Sequence, residues 1–233
     1  MPTEPPVTSF QFDPASEPDE RGKVTVGGDL LPGTVLAGYR AGLFPMRLGD
    51  GTLAWWSPDP RAVIVAGSVH VTRSLRRSQR RFTTTVDQAF ERVIAACAER
   101  GPDEYLWITD EVQAAYTELH RLGWAHSVET WALDPSGDRA LVGGLYGVCI
   151  GGLFAGESMF HRAPDASKVA LLALLDVLAS GDRPQERIVD VQWMTPHLQS
   201  LGAVDLPRRD FLERAARAQT LAPPPAFASR GDG

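Results

Sequence analysis

The run from Leu141 to Leu178, LVGGLYGVCIGGLFAGESMFHRAPDASKVALLALLDVL, is the most apolar part of the chain, and the rest must be arranged around it. Its punctuation predicts strand, turn, strand, loop and helix. Val142 to Cys149 is apolar, with Gly143 and Gly144 side by side near its start. Gly151-Gly152 is a turn signal before a second strand-like run at Leu153-Phe154-Ala155. A polar break follows at Gly156-Glu157-Ser158. Asp165 or Ser167 can cap a helix whose apolar stretch, Val169 to Leu178, is interrupted only by Asp176. A helix that apolar is expected to be buried on most sides, as one lying against a sheet is. Glu157 thus stands where a carboxylate is costly without a partner or a ligand, unless it tops its strand and faces water.

Around this centre the pattern alternates. Pro32 suits a helix start, and Leu36, Tyr39, Arg40 and Leu43 have helical spacing. Trp55-Trp56 is a short aromatic strand stopped by Ser57-Pro58-Asp59-Pro60; its two indoles point to opposite faces, which allows one to be core and the other available, and the core reading is the default for such a pair. Val63 to Val65 is a short strand, Thr72 or Ser74 can begin a basic helix, and Val86 to Arg100 reads as an amphipathic helix. Thr109 or Asp110 can cap a helix that Gly123 ends. His126 to Leu133 alternates like a half-buried strand, and Asp134 to Asp138 is a hairpin turn. Ile188 to Trp193 is a further strand, and Arg208 to Ala218 a final helix. Strands and helices alternating around a central meander give an α+β, or mixed α/β, domain. Residues 1–22 and 221–233, rich in Pro and in polar or small residues, are expected to be loose.

A chain of 233 residues suits one large domain, or a medium domain and a small lobe. No uninterrupted apolar run is long enough to span a membrane, and the N-terminus lacks the basic start and apolar core of a secretory signal. Cys97 and Cys149 lie in apolar contexts and read as core thiols of a reducing compartment, so a cytoplasmic protein is expected. The five histidines show no metal-ligand spacing, which gives no reason to expect a metal. The net charge is −6, yet no acid lies between Pro60 and Val86, a span that carries Arg61, Arg73, Arg76, Arg77, Arg80 and Arg81. That is either a docking patch for a polyanion or a solvated helix face.

The chemistry is concentrated at Ile188-Val189-Asp190-Val191-Gln192. Asp190 and Gln192 are two apart, so a strand puts both side chains on one face while Val189 and Val191 pack on the other. Such a pair is either hydrogen-bonded core or a site. Ser158, His161 and Asp190 offer the residue types of a hydrolytic triad, which spacing alone does not establish. No phosphate-binding glycine loop ending in Lys-Ser/Thr and no dinucleotide fingerprint is present.

The ordered motifs GGDL (27–30), AGYRAGLFP (37–45), WWSPDPR (55–61), TRSLRR (72–77), WIT (107–109) and LGWAHSVETW (122–131) continue with LVGGLYGV (141–148) and LFAGESMFHR (153–162). ASK (166–168), VDVQ (189–192) and HLQSLGAVDLPRRDF (197–211) complete them. From about Val24 to Ala218 the chain resembles the leucyl/phenylalanyl-tRNA–protein transferase family. The resemblance implies transfer of Leu or Phe, and less readily Met, from aminoacyl-tRNA to the N-terminal Arg or Lys of a protein, marking it for N-degron degradation. It also implies a small N-terminal lobe at 23–61 and a transferase domain at 62–220 similar to the acetyltransferase fold of the GNAT superfamily. No coenzyme and no metal are implied.

The resemblance assigns Asp190 and Gln192 to catalysis and Glu157 to the aminoacyl end. It implies an apolar side-chain pocket from Leu145, Phe154, Met159, Leu171, Leu174 and Val189. Tyr39, Trp107 and Tyr116 match aromatics near the terminal adenosine, where stacking contributes roughly 1–3 kcal/mol per base. Arg73, Arg76, Arg77 and Arg80 become contacts to acceptor-stem phosphates. Met46 stands where the family commonly has Trp, and Leu145 and Leu174 where relatives have Met and Phe, so the adenosine surface and pocket size are expected to differ. Two other readings are an acetyl-CoA-dependent acetyltransferase, for which the HRAPDAS loop (161–167) lacks a pyrophosphate turn, and a non-catalytic RNA-binding module, which leaves Glu157 and the Asp190–Gln192 pair without a use.

Overall fold

The computed structural model describes residues 1–13, 16–67, 71, 73–99, 107–134 and 136–228. In chain order the strands are β1 (Lys23–Val26), β2 (Phe44–Arg47), β3 (Leu53–Trp56), β4 (Arg61–Val65), β5 (Thr83–Val86), β6 (Ala125–Leu133), β7 (Arg139–Ile150), β8 (Leu153–His161), β9 (Ile188–Gln192) and β10 (Val204–Leu206). The helices are α1 (Pro32–Arg40), α2 (Arg73–Gln79), α3 (Phe90–Ala98), α4 (Asp110–Arg121), α5 (Ala166–Ala179), α6 (Pro196–Ser200), α7 (Arg208–Gln219) and α8 (Pro225–Ala228). The architecture is α+β, with a small antiparallel sheet β1-β3-β2 and a seven-stranded sheet β10-β4-β9-β8-β7-β6-β5.

The central stretch forms the heart of the large sheet. β7 and β8 are a long hairpin turned at Gly151-Gly152, and α5 returns the chain so that β9 lies parallel to β8. Every other neighbouring pair in that sheet is antiparallel. Helix α5 is apolar nearly all round because it is sandwiched between the sheet and α2. A side chain at Gly143 would bring a Cβ to 2.6 Å from that of Ala166, so this glycine lets the start of α5 lie directly on β7. Thr109 caps α4 as expected, accepting from Val112 N at 3.4 Å.

Several expectations change. β8 does not break at Gly156-Glu157-Ser158 but continues to His161, because the polar residues occupy a bulge. Val86 belongs to the edge strand β5, and Asp87, at φ 56°, turns the chain before α3 begins at Phe90. The core reading of the Trp pair holds: both Trp55 and Trp56 are buried, each indole N–H donating to a backbone carbonyl 3.0 Å away, on Gly27 and Met46. Asp165 stands at the N-cap of α5 without capping it through its side chain. Its carboxylate instead accepts from Ser78 Oγ at 2.8 Å and Lys168 Nζ at 2.9 Å. Thr72 and Arg100 lie outside the described residues.

Residues 3–12 and α8 are more tightly held than their composition suggests. Thr3 N donates to Leu122 O, Trp124 Nε1 donates to Thr3 O, and Arg40 forms a paired contact with Glu4. Phe10 and Phe12 pack edge-on in series against Trp55. At the other end α8 buries Phe227 between His126 and Phe154, at centroid distances of 4.1 and 5.9 Å. The small lobe has its own sheet, but its core is continuous with that under α3 and α4: Tyr39, Phe44 and Trp55 share one cluster with Val93, Tyr116 and Tyr146.

Candidate active site

Strands β8 and β9 are paired only from Leu153–Ala155 to Ile188–Asp190. Beyond Ala155, β8 stays on β7 while β9 leaves it, and the sheet opens. A cavity of about 700 Å³ fills the opening. One wall is the apolar group Leu145, Phe154, Met159, Leu171, Leu174 and Val189, all six of the residues expected in a side-chain pocket. Phe44, Pro45, Met46, Trp107, Val191, Trp193 and Leu198 form the rest of its apolar surface. Gly156, Glu157, Ser158, Gln192, Thr195 and His197 are its polar lining. His197 is held below the ordinary histidine range by burial and by the nearby Lys168 and His161.

Glu157 reaches the cavity because of the bulge. Tyr146 opposes Ser158 and Gly147 opposes Gly156, leaving Glu157 as the extra residue. Gly147 makes this possible, since a Cβ there would fall 2.1 Å from Ala155 O. Tyr116 OH donates to Glu157 Oε2 at 3.1 Å, and Tyr39 OH lies 2.5 Å from Tyr116 OH. The other oxygen, Oε1, is buried and has no hydrogen-bond partner among the described residues. Burial pushes the Glu157 carboxyl up to about 7. The two tyrosine hydroxyls and the Arg61 charge oppose that rise, and Asp190 adds to it. Burial, and then the Glu157 charge, raise both tyrosines well above the ordinary phenol range, so they remain donors.

Asp190 is buried behind Gln192 and does not line the cavity. Arg61 Nε donates to its Oδ1 at 2.8 Å and Nη2 to its Oδ2 at 2.7 Å. The guanidinium lies between the rings of Phe44 and Phe211, 4.8 and 4.6 Å from their centroids. Asp190 Oδ1 also accepts from Gln192 N at 3.0 Å. Trp193 N donates back to Val191 O at 2.8 Å across a three-residue turn, with Gln192 at its centre at φ 60°. A non-glycine residue in that region costs on the order of 1–3 kcal/mol, and it persists here because Asp190 grips the amide. Gln192 Nε2 donates one hydrogen to Gly156 O at 2.8 Å, which fixes the side chain across the mouth between the two strands.

The sequence-derived residues thus divide. Gln192, Glu157, Trp107 and the six apolar residues meet at the cavity. Tyr39 and Tyr116 do not face it as stacking surfaces: both are buried, 2% and 0% exposed, and their hydroxyls serve Glu157 instead. Arg73, Arg76, Arg77 and Arg80 are exposed on α2 and the turn after it, outside the cavity. Ser78 and Asp165 link α2 to Lys168 on α5. The triad reading fails, because Asp190 is committed to Arg61 and not to His161.

Sequence reasoning missed Arg61, Trp193 and His197. Arg61 carried a signal: it opens the strand Ala62-Val63-Ile64-Val65, where a cation needs an acid, and Asp190 is the acid inside another apolar strand. Among the described residues no helix is long and apolar enough to cross a membrane.

Comparison with known proteins converges on one family. Residues 28–59 match the model of the leucyl/phenylalanyl-tRNA protein transferase N-terminal domain, and residues 63–216 match that of leucyl/phenylalanyl-tRNA protein transferase. A leucyl/phenylalanyl-tRNA–protein transferase of Magnetococcus marinus is 46% identical over 209 residues, covering 89% of this chain and 88% of that protein. One from Anaeromyxobacter dehalogenans is 50% identical over 211 residues, covering 88% and 86%. One from Aromatoleum aromaticum is 46% identical over 224 residues, covering 95% and 89%.

Proposed function

The chain belongs to the leucyl/phenylalanyl-tRNA–protein transferase family, a family of aminoacyltransferases, and on that footing we propose that it transfers Leu or Phe from aminoacyl-tRNA to the N-terminal Arg or Lys of proteins. Met is the weaker donor, and the product enters N-degron degradation in the cytoplasm. The observation that carries this reading is the cavity between the diverging strands. It joins a deep apolar wall, suited to a branched or aromatic side chain, to the polar residues Gln192 and Glu157.

In this reaction the α-amine attacks the ester carbonyl, a C–N bond forms, and the C–O bond to the terminal ribose breaks. One proton passes from the amine to the ribose oxygen. An aminoacyl ester carries its own activation, so the transfer is proposed to need neither coenzyme nor metal. Gln192 has a second amide hydrogen and a carbonyl oxygen left to hold the carbonyl or the amine, and Asp190 acts through it as a positioning residue. Glu157 offers Oε1 to an amino group. Trp107 remains the accessible candidate among the three residues expected near the terminal adenosine, and the α2 arginines are proposed to meet acceptor-stem phosphates. The small lobe at 23–61 supplies Phe44, Pro45 and Met46 to the mouth, and the domain at 62–220 supplies the rest.

The test is incubation with Leu-tRNA and an Arg-initiated peptide, read by mass spectrometry. The expected product is the peptide extended by one leucine at its N-terminus. Acetylation from acetyl-CoA, or tRNA binding with no product, would replace this reading.

A further inference from the structure

We propose that Glu157 is the proton acceptor for the attacking α-amine, oriented for that task by the hydroxyl chain Tyr39–Tyr116. The proposal rests on the reading that this cavity hosts aminoacyl transfer, and it goes beyond holding an amino group in place.

Three observations lead to it. Among the described residues, Glu157 is the one carboxylate that lines the cavity. Asp190 cannot take a proton from substrate without giving up Arg61, which occupies both of its oxygens. Glu157 follows Gly156, whose carbonyl holds Gln192 Nε2 at 2.8 Å, so its backbone adjoins the group proposed to hold the reacting carbonyl, and its buried Oε1 has no hydrogen-bond partner among the described residues. The rest of the surroundings fit a proton that must be taken and then returned. Tyr39 from α1 and Tyr116 from α4 form a chain of donors ending on Oε2. Arg61 of β4 favours the carboxylate, Asp190 of β9 opposes it, and His197 of α6 lines the same cavity. The resulting balance, a carboxyl at about 7, lies near working pH, where a group is effective in both directions.

The amine enters neutral. As nitrogen bonds to the carbonyl carbon, Glu157 Oε1 takes one of its protons. As the C–O bond breaks, the carboxylic acid returns that proton to the departing ribose oxygen. Glu157 ends as the carboxylate it was, with no other reactant consumed.

The test is the pH dependence of single-turnover transfer, at sub-saturating Arg-peptide, with enzyme preloaded with Leu-tRNA. Two groups must be deprotonated at once, Glu157 and the peptide amine, whose ordinary range is about 7.7–8.0. The logarithm of the rate should therefore climb with slope two at low pH in the wild type. In Glu157→Gln the slope should fall to one, from the peptide amine alone, with a rate loss of ~10²–10⁴. In Tyr116→Phe the carboxylate loses a donor, its proton is held more tightly, and the Glu157 limb should move upward by about one pH unit. Tyr116→Phe guards against misreading a variant that folds poorly, because a purely structural role moves no pH limb. A wild-type slope of one, an unmoved limb in Tyr116→Phe, or a slope that falls in His197→Gln and not in Glu157→Gln would each overturn the assignment. Absence of transfer by the wild type would instead refute the proposed function, and this role with it.

Discussion

At the scale of residues the site depends on an ion pair that substrate never touches. Arg61 and Asp190 are 1% and 2% exposed and come from strands far apart in sequence. Removing one partner of such a buried pair typically costs about 3–5 kcal/mol, because the other is left charged and unpaired. Asp190→Asn should therefore lower the melting temperature by several degrees, and transfer should fall with the folded fraction and with the loosening of Gln192. Gln192→Ala leaves the pair intact and should instead lower the single-turnover rate by ~10²–10³ at nearly unchanged melting temperature. Thermal unfolding and rates on the same samples separate the two, and a fully stable Asp190→Asn would refute this account of the pair. Asp190 and Gln192 were legible as two polar residues in an apolar strand, but not their placement: Gln192 reaches the cavity through a turn at φ 60°, alongside Val189 and Val191, while Asp190 does not line it. Arg61 was legible only as a charge in need of an acid, and its pairing with Asp190 shows once β4 is seen against β9. Tyr39 and Tyr116 were found by resemblance but given the wrong neighbour: only the folded chain shows that their hydroxyls reach Glu157.

At the scale of elements, the cavity is a consequence of pairing. β8 has two partners and cannot follow both, so it remains on β7 and the parallel contact to β9 ends at Ala155 and Asp190. Leu145 lies on the β7 wall of the resulting space and is 3% exposed. Leu145→Trp should fill the side-chain site and abolish Leu and Phe transfer, with a stability loss of about 1–3 kcal/mol from overpacking. A folded variant with normal transfer would mean that the side chain binds elsewhere. On α2, Arg76 and Arg77 are exposed and face no acid of their own helix. Their joint replacement by Ala should weaken binding of every aminoacyl-tRNA alike and reduce the dependence of affinity on salt by about two phosphate contacts. An unchanged salt slope would leave α2 as a solvated face. The long elements, α4, β6, β7 and α5, were readable from apolar period and capping residues. The short edge strands β2, β5 and β10, of three or four residues, carry too little pattern to be found locally. The bulge at Glu157 was misread as a loop because glycine and polar residues mark both.

At the scale of the whole molecule, both ends of the chain are drawn into the structure. The first residues strap α1 to the α4–β6 turn, and Phe227 wedges between His126 and the cavity-lining Phe154. Phe227→Ala should cost about 3–5 kcal/mol in denaturant-induced unfolding. It should also loosen the Phe154 wall, raising the KM for Leu-tRNA more than it lowers kcat. A change below 1 kcal/mol with unaltered KM would show that α8 merely decorates the surface. The position of Phe227 also bears on how the protein is made. The small sheet joins neighbours in sequence and can pair while the chain is still on the ribosome. β4, the next strand to emerge, finds no partner in what precedes it: its neighbours β9 and β10 are translated long afterwards, and Phe227 later still. The nascent chain therefore carries an unpartnered apolar strand, Ala62-Val63-Ile64-Val65, through most of its synthesis, which makes it a natural client for chaperones that shield such segments at the tunnel exit.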